Sequence, residues 1–383
     1  MHRLLPWVIA SLMLALACGP SAAPAPTGSS APTGGASAPT GAAPVGASTP
    51  ASDANSRQQV IDGARAEGVV NATIQTTFTQ DTIQRLEEAI EHEYGVRIQI
   101  NFTPIGNYAT RAAEWLGELQ ANTPPSYDLY QSSDTISLTL RRAGAAEAVD
   151  WTPLLPAGTP PGMIGPNGEY LVIYTDHFGL MYDPNVVPES EAPRSLKDLA
   201  NPRWRGKFML FNTPGTYFPL FFQLGNDAAL AALKAAVQNS AGTDTLPNEF
   251  TRFAAKEYPM VLETGSFYLT AGLRGIPAKF MPLDVSSNSD HQTLVARRAV
   301  HPNAAKLLAA VLAGPEGQRI QAESTGVGAR YYPDSADARM EQDARAKGFP
   351  TFAWSENPDK LDWAVSPEGE ALSRQIDEVL KGG

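Results

Sequence analysis

The chain of 383 residues contains one cysteine, Cys18, so no internal disulfide can brace it and its stability must come from a buried apolar core. Histidine is scarce, with five in all, and no two stand three or four residues apart as helical metal-ligand pairs do. The sequence has no G-x-S-x-G elbow, no H-E-x-x-H, no Walker phosphate loop and no dinucleotide fingerprint. Their absence removes the readable routes to hydrolysis and nucleotide chemistry. A lone acid such as Glu263 at a strand end then reads as a cap or a ligand contact before it reads as a general base. Positive charge is in deficit too, with 29 Lys and Arg against 40 Asp and Glu for a net charge of −11, which argues against nucleic acid as a partner. An acidic surface still permits an anionic ligand, because placed donors and local dipoles override the net field inside a cleft.

One more absence organises the amino terminus: no charged side chain falls between Arg3 and Asp53. His2-Arg3 precedes an apolar run from Leu4 to Ala17, which reads as a secretory signal over 1–17, too short to span a bilayer. The segment Ala15-Leu16-Ala17-Cys18-Gly19 resembles the bacterial lipobox, with Ala15 where leucine is usual. That resemblance implies lipidation of Cys18 and an anchor to the membrane. From Gly19 to about Ser52 the chain is nearly all Ala, Pro, Ser, Thr and Gly, too poor in apolar area to fold, and a disordered tether is expected over 18–56. Its mean reach is on the order of 30 Å.

The remainder is 43% hydrophobic by the whole-chain count, enough for two ordinary domains. It repeats one unit: an apolar strand, a corner of Ser, Thr, Asn or Gly, and an amphipathic helix. Val69 to Ile74 leads through Thr76-Thr77 to a helix from about Asp81 to Tyr94, with Ile83, Leu86 and Ile90 on one face and Gly95 as a stop. Tyr127 to Tyr130 leads to Ser132-Ser133-Asp134, Lys207 to Phe211 leads to Asn212-Thr213-Pro214-Gly215-Thr216, and Pro259 to Leu262 leads to Glu263-Thr264-Gly265-Ser266. The grammar specifies an α/β fold with mostly parallel sheets flanked by helices. In such sheets the corners gather at the carboxyl ends of the strands, where helix N-termini offer free N–H groups. Two extended segments, Leu171 to Tyr182 and Ala278 to Val285, are expected to cross between two lobes and form a hinge beside a cleft.

Past the first crossing, Tyr182-Asp183-Pro184-Asn185 and then Ala192-Pro193-Arg194-Ser195-Leu196-Lys197-Asp198-Leu199-Ala200-Asn201-Pro202-Arg203-Trp204-Arg205-Gly206-Lys207 resemble the Y-N-x-x-x-V and P-x-S-W-x-D-L-x-D-P-x-W-K-G-K patterns of the extracellular solute-binding proteins, the group that includes ferric-ion, polyamine, thiamine and phosphonate-like binders. His301-Pro302-Asn303-Ala304-Ala305-Lys306-Leu307-Leu308 and Leu312-Ala313-Gly314-Pro315-Glu316-Gly317-Gln318 are similar to the same family's H-P-N-A-A-K-L-F and L-S-P-E-G-Q. The resemblance covers roughly Glu67 to Pro333. It implies a two-lobe, type II periplasmic-binding-protein-like fold, with lobe I at 57–175 plus 283–383 and lobe II at 176–282. It also implies the substrate-binding component of an ABC importer: a monomer that captures a small polar or anionic solute or ion, with membrane permease subunits as partners and no catalysis.

The ligand-binding residues expected from the corners are Thr76, Thr77, Ser132, Ser133, Asn212, Thr213, Thr216, Tyr217 and Ser266, with Thr175 and Asp284 near the crossings. Each hydroxyl either caps its helix or turns toward the ligand, and Tyr217 either stacks on a ligand or packs. No cofactor is expected. Ferric iron or another metal lacks a clear ligand set, because the ferric branch of the family carries adjacent tyrosines where this chain has Gly265-Ser266-Phe267-Tyr268, and Tyr331-Tyr332 reads as packing. His177 and His291, with Asp176, Asp284 and Asp290 nearby in sequence, are the remaining metal candidates. Two other functions stay open: a surface sensor or scavenger without a transporter, and a hydrolase on the same scaffold.

Overall fold

The computed structural model describes residues 50–382. The expected signal segment 1–17, Cys18 and most of the expected tether lie outside the described residues. The first lobe opens with α1 (Pro50–Glu67), β1 (Val69–Ile74), α2 (Gln80–Tyr94), β2 (Gln99–Pro104), α3 (Tyr108–Gln120), β3 (Leu129–Ser132) and α4 (Asp134–Arg142). A twelve-residue strand, β4 (Leu171–Tyr182), leaves it. The second lobe holds β5 (Phe208–Phe211), α5 (Phe218–Leu224), α6 (Asn226–Asn239), β6 (Thr243–Asp244), α7 (Leu246–Ala254), β7 (Met260–Thr264), α8 (Gly265–Leu273) and β8 (Lys279–Met281). The strand β9 (Ser286–Val295) returns to α9 (Pro302–Ala313) and α10 (Pro315–Thr325). After them come α11 (Ala336–Ala346), β10 (Thr351–Ala353), α12 (Pro358–Ala364) and α13 (Pro367–Leu380).

The strands lie in the order β2-β1-β3-β9-β4-β7-β5-β6, with β8 beside β4 and β10 beside β9. In the first lobe β1 runs parallel to β2 and β3, and in the second β5 runs parallel to β6 and β7. Each parallel set is closed by an antiparallel crossing strand, β9 on β3 and β4 on β7. The two crossing strands also pair with each other, setting Tyr174 opposite His291, Thr175 opposite Asp290, Asp176 opposite Ser289 and His177 opposite Asn288. One hydrogen-bonded sheet therefore runs through both lobes. The ladder between them slips at Ile173, whose carbonyl accepts from Gln318 Nε2 at 2.6 Å instead.

The apolar residues form separate cores. Ile74, Leu86, Ile90, Leu129, Leu294 and almost every residue of α9 fill the first. Helix α9 is buried nearly all round, beyond the single stripe its sequence suggests, because it lies against α1, α2 and the sheet. Its amino end is closed from outside: the Glu67 carboxylate, at the last residue of α1, accepts from Asn303 N and Nδ2 at 3.2 and 2.7 Å and from Ala304 N at 2.7 Å.

Three expectations change. Residues 50–56 are helical and belong to α1 instead of the tether; proline is compatible with a first helical turn, and the helix is held in place by Ile61 and Ala64, which bury in the first core. The second crossing is Ser286–Val295, while Ala278 to Val285 contributes only the short β8 next to β4 in the second lobe. The apolar run marked a core strand, and the true crossing is polar because it lies between the lobes. Finally, residues 283–383 do not stay together in lobe I. Ala344, Leu361, Leu372, Ile376 and Leu380 enter the second core beside Phe208, Phe211 and Leu233, so the chain passes between lobes once more after α10. Amphipathic spacing announces that a helix buries one face and leaves its partner unnamed.

Candidate functional site

All twelve residues of β4 are buried, yet its middle reads Thr175-Asp176-His177, and the matching part of β9 reads Asn288-Ser289-Asp290-His291 with three of the four buried. Burying such groups is costly unless each finds a partner. Asp176 finds three donors. Its Oδ1 accepts the backbone N–H of His177 and of Ser266, both at 2.9 Å, and its Oδ2 accepts Ser266 Oγ at 2.9 Å. Ser266 lies in the first turn of α8, so a helix start of the second lobe is aimed at a carboxylate on the crossing strand. Thr264 Oγ1 stands 2.9 Å from the same Ser266 hydroxyl. Burial pushes the Asp176 carboxyl up to about 6, against the lowering effect of the Ser266 hydrogen bonds and with the charge of Asp337 adding to the rise.

Facing this carboxylate from the first lobe, the His291 ring stacks on Tyr174 with centroids 4.2 Å apart and 9° between planes. Its Nδ1 is 3.0 Å from the Tyr108 hydroxyl, which receives Gln131 Nε2 at 2.6 Å. With the amide donating to Tyr108 and the phenol donating to Nδ1, the ring proton of His291 falls on Nε2, 3.9 Å from Asp176 Oδ2. Burial drags His291 down to about 3, so the ring is neutral at physiological pH.

A second set of contacts surrounds Asp290. It accepts Thr175 Oγ1 at 2.9 Å and the Tyr331 hydroxyl at 2.7 Å. The Arg330 guanidinium lies over the Tyr331 ring at 4.9 Å, reaches Glu356 at 2.8 Å and Glu341 at 3.5 Å, and holds Nε 3.9 Å from Asp290. Asp134, first residue of α4, accepts Ser289 Oγ at 3.0 Å, Asp290 N at 2.8 Å and Gln292 Nε2 at 2.7 Å. Burial, with the Asp290 charge behind it, lifts its carboxyl well above the usual range. His177 Nε2 sits 3.5 Å from Asp337 Oδ1. Burial works against a charged His177, but the bond and charge of Asp337 outweigh it and raise the ring above its ordinary 6.5. Asp337 also rises, because burial exceeds what His177 returns. On β7, the fully buried Glu263 is raised far above the carboxylate range by burial.

The expected residues divide. Thr175 and Ser266 are inside this network. Ser132 is buried opposite Gln292, and Ser133 precedes α4 without capping it, so that corner delivers Asp134 to the network. Thr76 accepts the Gly106 N–H at 3.1 Å and so pins the loop that leads to Tyr108, while Thr77 is exposed. Asn212 and Thr213 are exposed and Thr216 half-buried at the end of β5, and none has a side-chain bond to the network. Tyr217 is a correction: fully buried, it packs on Phe178 and Phe211 and donates to the Phe211 carbonyl at 2.9 Å, so it is core. Asp284 is another: at φ 58° in the turn before β9, its Oδ2 accepts Leu196 N at 2.7 Å, an arrangement that shapes the turn. Tyr331 and Tyr332 both pack against the first core as expected; the Tyr331 hydroxyl also serves Asp290, while Tyr332 donates to the Ala313 carbonyl. Reading the corners alone missed Tyr108, Gln131, Asp134, Asp290 and Arg330. A polar quartet opposite another polar quartet in two long extended segments was the available sign.

Among the described residues no serine or threonine hydroxyl hydrogen-bonds a histidine ring, the contact a nucleophile and base require, and no three His, Cys, Asp or Glu side chains converge as a metal site would need. The family profile for bacterial extracellular solute-binding proteins matches residues 159–350. No curated protein sequence matches the chain. Solved structures share the fold at low identity. The substrate-binding protein of an ABC transporter from Agrobacterium tumefaciens is 13% identical at a TM-score of 0.65, over 82% of this chain and 93% of that one. Ferric iron-binding protein A of Mannheimia haemolytica, in an open conformation, is 15% identical at 0.59, over 82% and 99%. A GABA receptor is 14% identical at 0.58, over 80% and 97%.

Proposed function

Since the chain belongs to the bacterial extracellular solute-binding protein family, which implies a location outside the cytoplasm, we propose that it is the substrate-binding component of an ABC-type importer. It captures a small polar solute between its lobes and presents the closed form to a membrane permease, held near the membrane by a lipid on Cys18. The observation that carries this reading is the Asp176–Ser266 contact, where a helix start from one lobe meets a carboxylate on the strand that enters the other. A solute there touches both lobes at once, and closure follows from the difference in its affinity for the open and closed forms. Catalysis plays no part in this cycle.

Iron, which several of the similar proteins bind by their titles, is not the solute we propose. The corner after β7 offers Ser266 and Phe267, and the next residue, Tyr268, lies tilted against Phe280 with ring centroids 5.7 Å apart. Native mass spectrometry of protein purified without refolding, paired with small-angle scattering before and after ligand removal, tests the proposal. A co-purifying small molecule and a more compact bound form are expected. Absence of both would remove the solute-capture reading.

A further inference from the structure

We propose that the solute is recognised through a positively charged amine, with Asp176 as its anchor; this rests on the solute-capture reading above and narrows it. Asp176 is the point where the lobes meet. Its side chain and that of His291 each keep 10% of their surface open, and Tyr108 and Ser266 beside them are half-buried, so a solute can reach the carboxylate. Within 4 Å of it, His291 Nε2 at 3.9 Å is the one basic side-chain atom among the described residues. His291 is neutral, His177 is committed to Asp337, and Arg330 is committed to Glu341, Glu356 and Asp290.

The hydrogen bonds left unmade point the same way. Gln131, 2% exposed, gives its amide nitrogen to Tyr108 and Tyr174 and leaves Oε1 without a donor. Asp176 Oδ2 has a single close donor, Ser266 Oγ. Asp176 Oδ2 and Gln131 Oε1, linked through Tyr108 and His291, therefore both have room for a further donor. An ammonium supplies three N–H donors and no acceptor, and it brings the positive charge that the Asp176 carboxylate lacks. An anion would meet the Asp176 carboxylate with no lysine or arginine within 4 Å of it among the described residues, which sets aside the anionic solute admitted by the sequence.

The test is calorimetric titration of wild type and Asp176→Asn, both freed of co-purified ligand, with putrescine and γ-aminobutyrate as amine probes and citrate and ferric citrate as anionic and metal probes. Binding of at least one amine, weakened about tenfold or more in the variant while its circular dichroism is unchanged, is the expected result. Three results would overturn the inference: amine binding that the variant retains, binding of citrate or ferric citrate with neither amine active, or silence toward all four probes. Citrate binding would leave solute capture standing and remove only the amine, whereas that broader reading fails on the mass-spectrometric and scattering outcome named above.

Discussion

Replacing Asp176 by asparagine should make the ligand-free protein more stable at neutral and alkaline pH, although it removes a charge at the centre of the site. Burial shifts this carboxyl from its ordinary 3.8 up to about 6, so the folded state holds the proton more tightly than the unfolded chain does. The sign follows from linkage. The stabilising contribution of the neutral form is complete below pH 4 and is lost as pH rises through about 6. At 1.36 kcal/mol per tenfold change in proton affinity, the ionised carboxylate costs the fold about 3 kcal/mol by pH 8. Asparagine resembles the neutral acid in shape, and its oxygen can still accept the N–H groups of His177 and Ser266. Urea denaturation followed by tryptophan fluorescence, at pH 4, 6 and 8, should show the variant gaining on wild type with rising pH, from about 0.5 kcal/mol at pH 4 up to about 3 kcal/mol at pH 8. The other acids titrate in both proteins, so the difference isolates this carboxyl. A variant no more stable than wild type at pH 8, or a difference flat with pH, would refute the reasoning. A carboxylate kept at such a cost to stability is what a site selected for binding leads one to expect.

Removing the outside cap of α9 by Glu67→Ala should cost about 1–2 kcal/mol, read as a lower melting temperature, with Glu67→Gln recovering part of it because the amide oxygen keeps one acceptor. Imidazole NMR should find His291 neutral down to about pH 3 and His177 protonated to above 6.5, so folding loses stability in acid through the first ring and gains it there through the second. Tyr217→Phe should lose about 1 kcal/mol of stability through the Phe211 carbonyl it abandons, with solute affinity unchanged. The pair Thr213→Ala and Thr216→Ala tests the exposed corner after β5: with no side-chain bond from either to the network, unaltered solute affinity in a fully folded protein is expected, and weakened binding would place that corner inside the site.

Much of the architecture could be read from residue pattern. The run Leu171 to Tyr182 is one strand to the residue, and Asp81 to Tyr94 differs from its helix by a single position, because both carry a strong period and clear stops. Thr175 and Ser266 were reachable for a similar reason, since each sits at a junction that the pattern locates. The rest of the site was hidden by the logic that made the fold visible. Apolar spacing finds surfaces that avoid water, and β9 crosses between lobes with Ser, Asn, Asp, His and Gln, so it looked like loop while an apolar neighbour looked like the hinge. Arg330 and Tyr331 lie beyond α10 in sequence and reach Asp290 only through the folded topology. Tyr217 shows the opposite failure. An aromatic at a polar corner suggested recognition, and two neighbouring rings claimed it.

The shared ladder of β4 and β9 has a consequence for how the protein can be divided. Cutting it at the waist would strip both halves of their closing strand and leave raw sheet edges ready to pair with any chain nearby. Neither half is a candidate for separate expression. Motion that admits a solute must then spread as torsion along those two ribbons, with the slip at Ile173 as the natural place for it to begin.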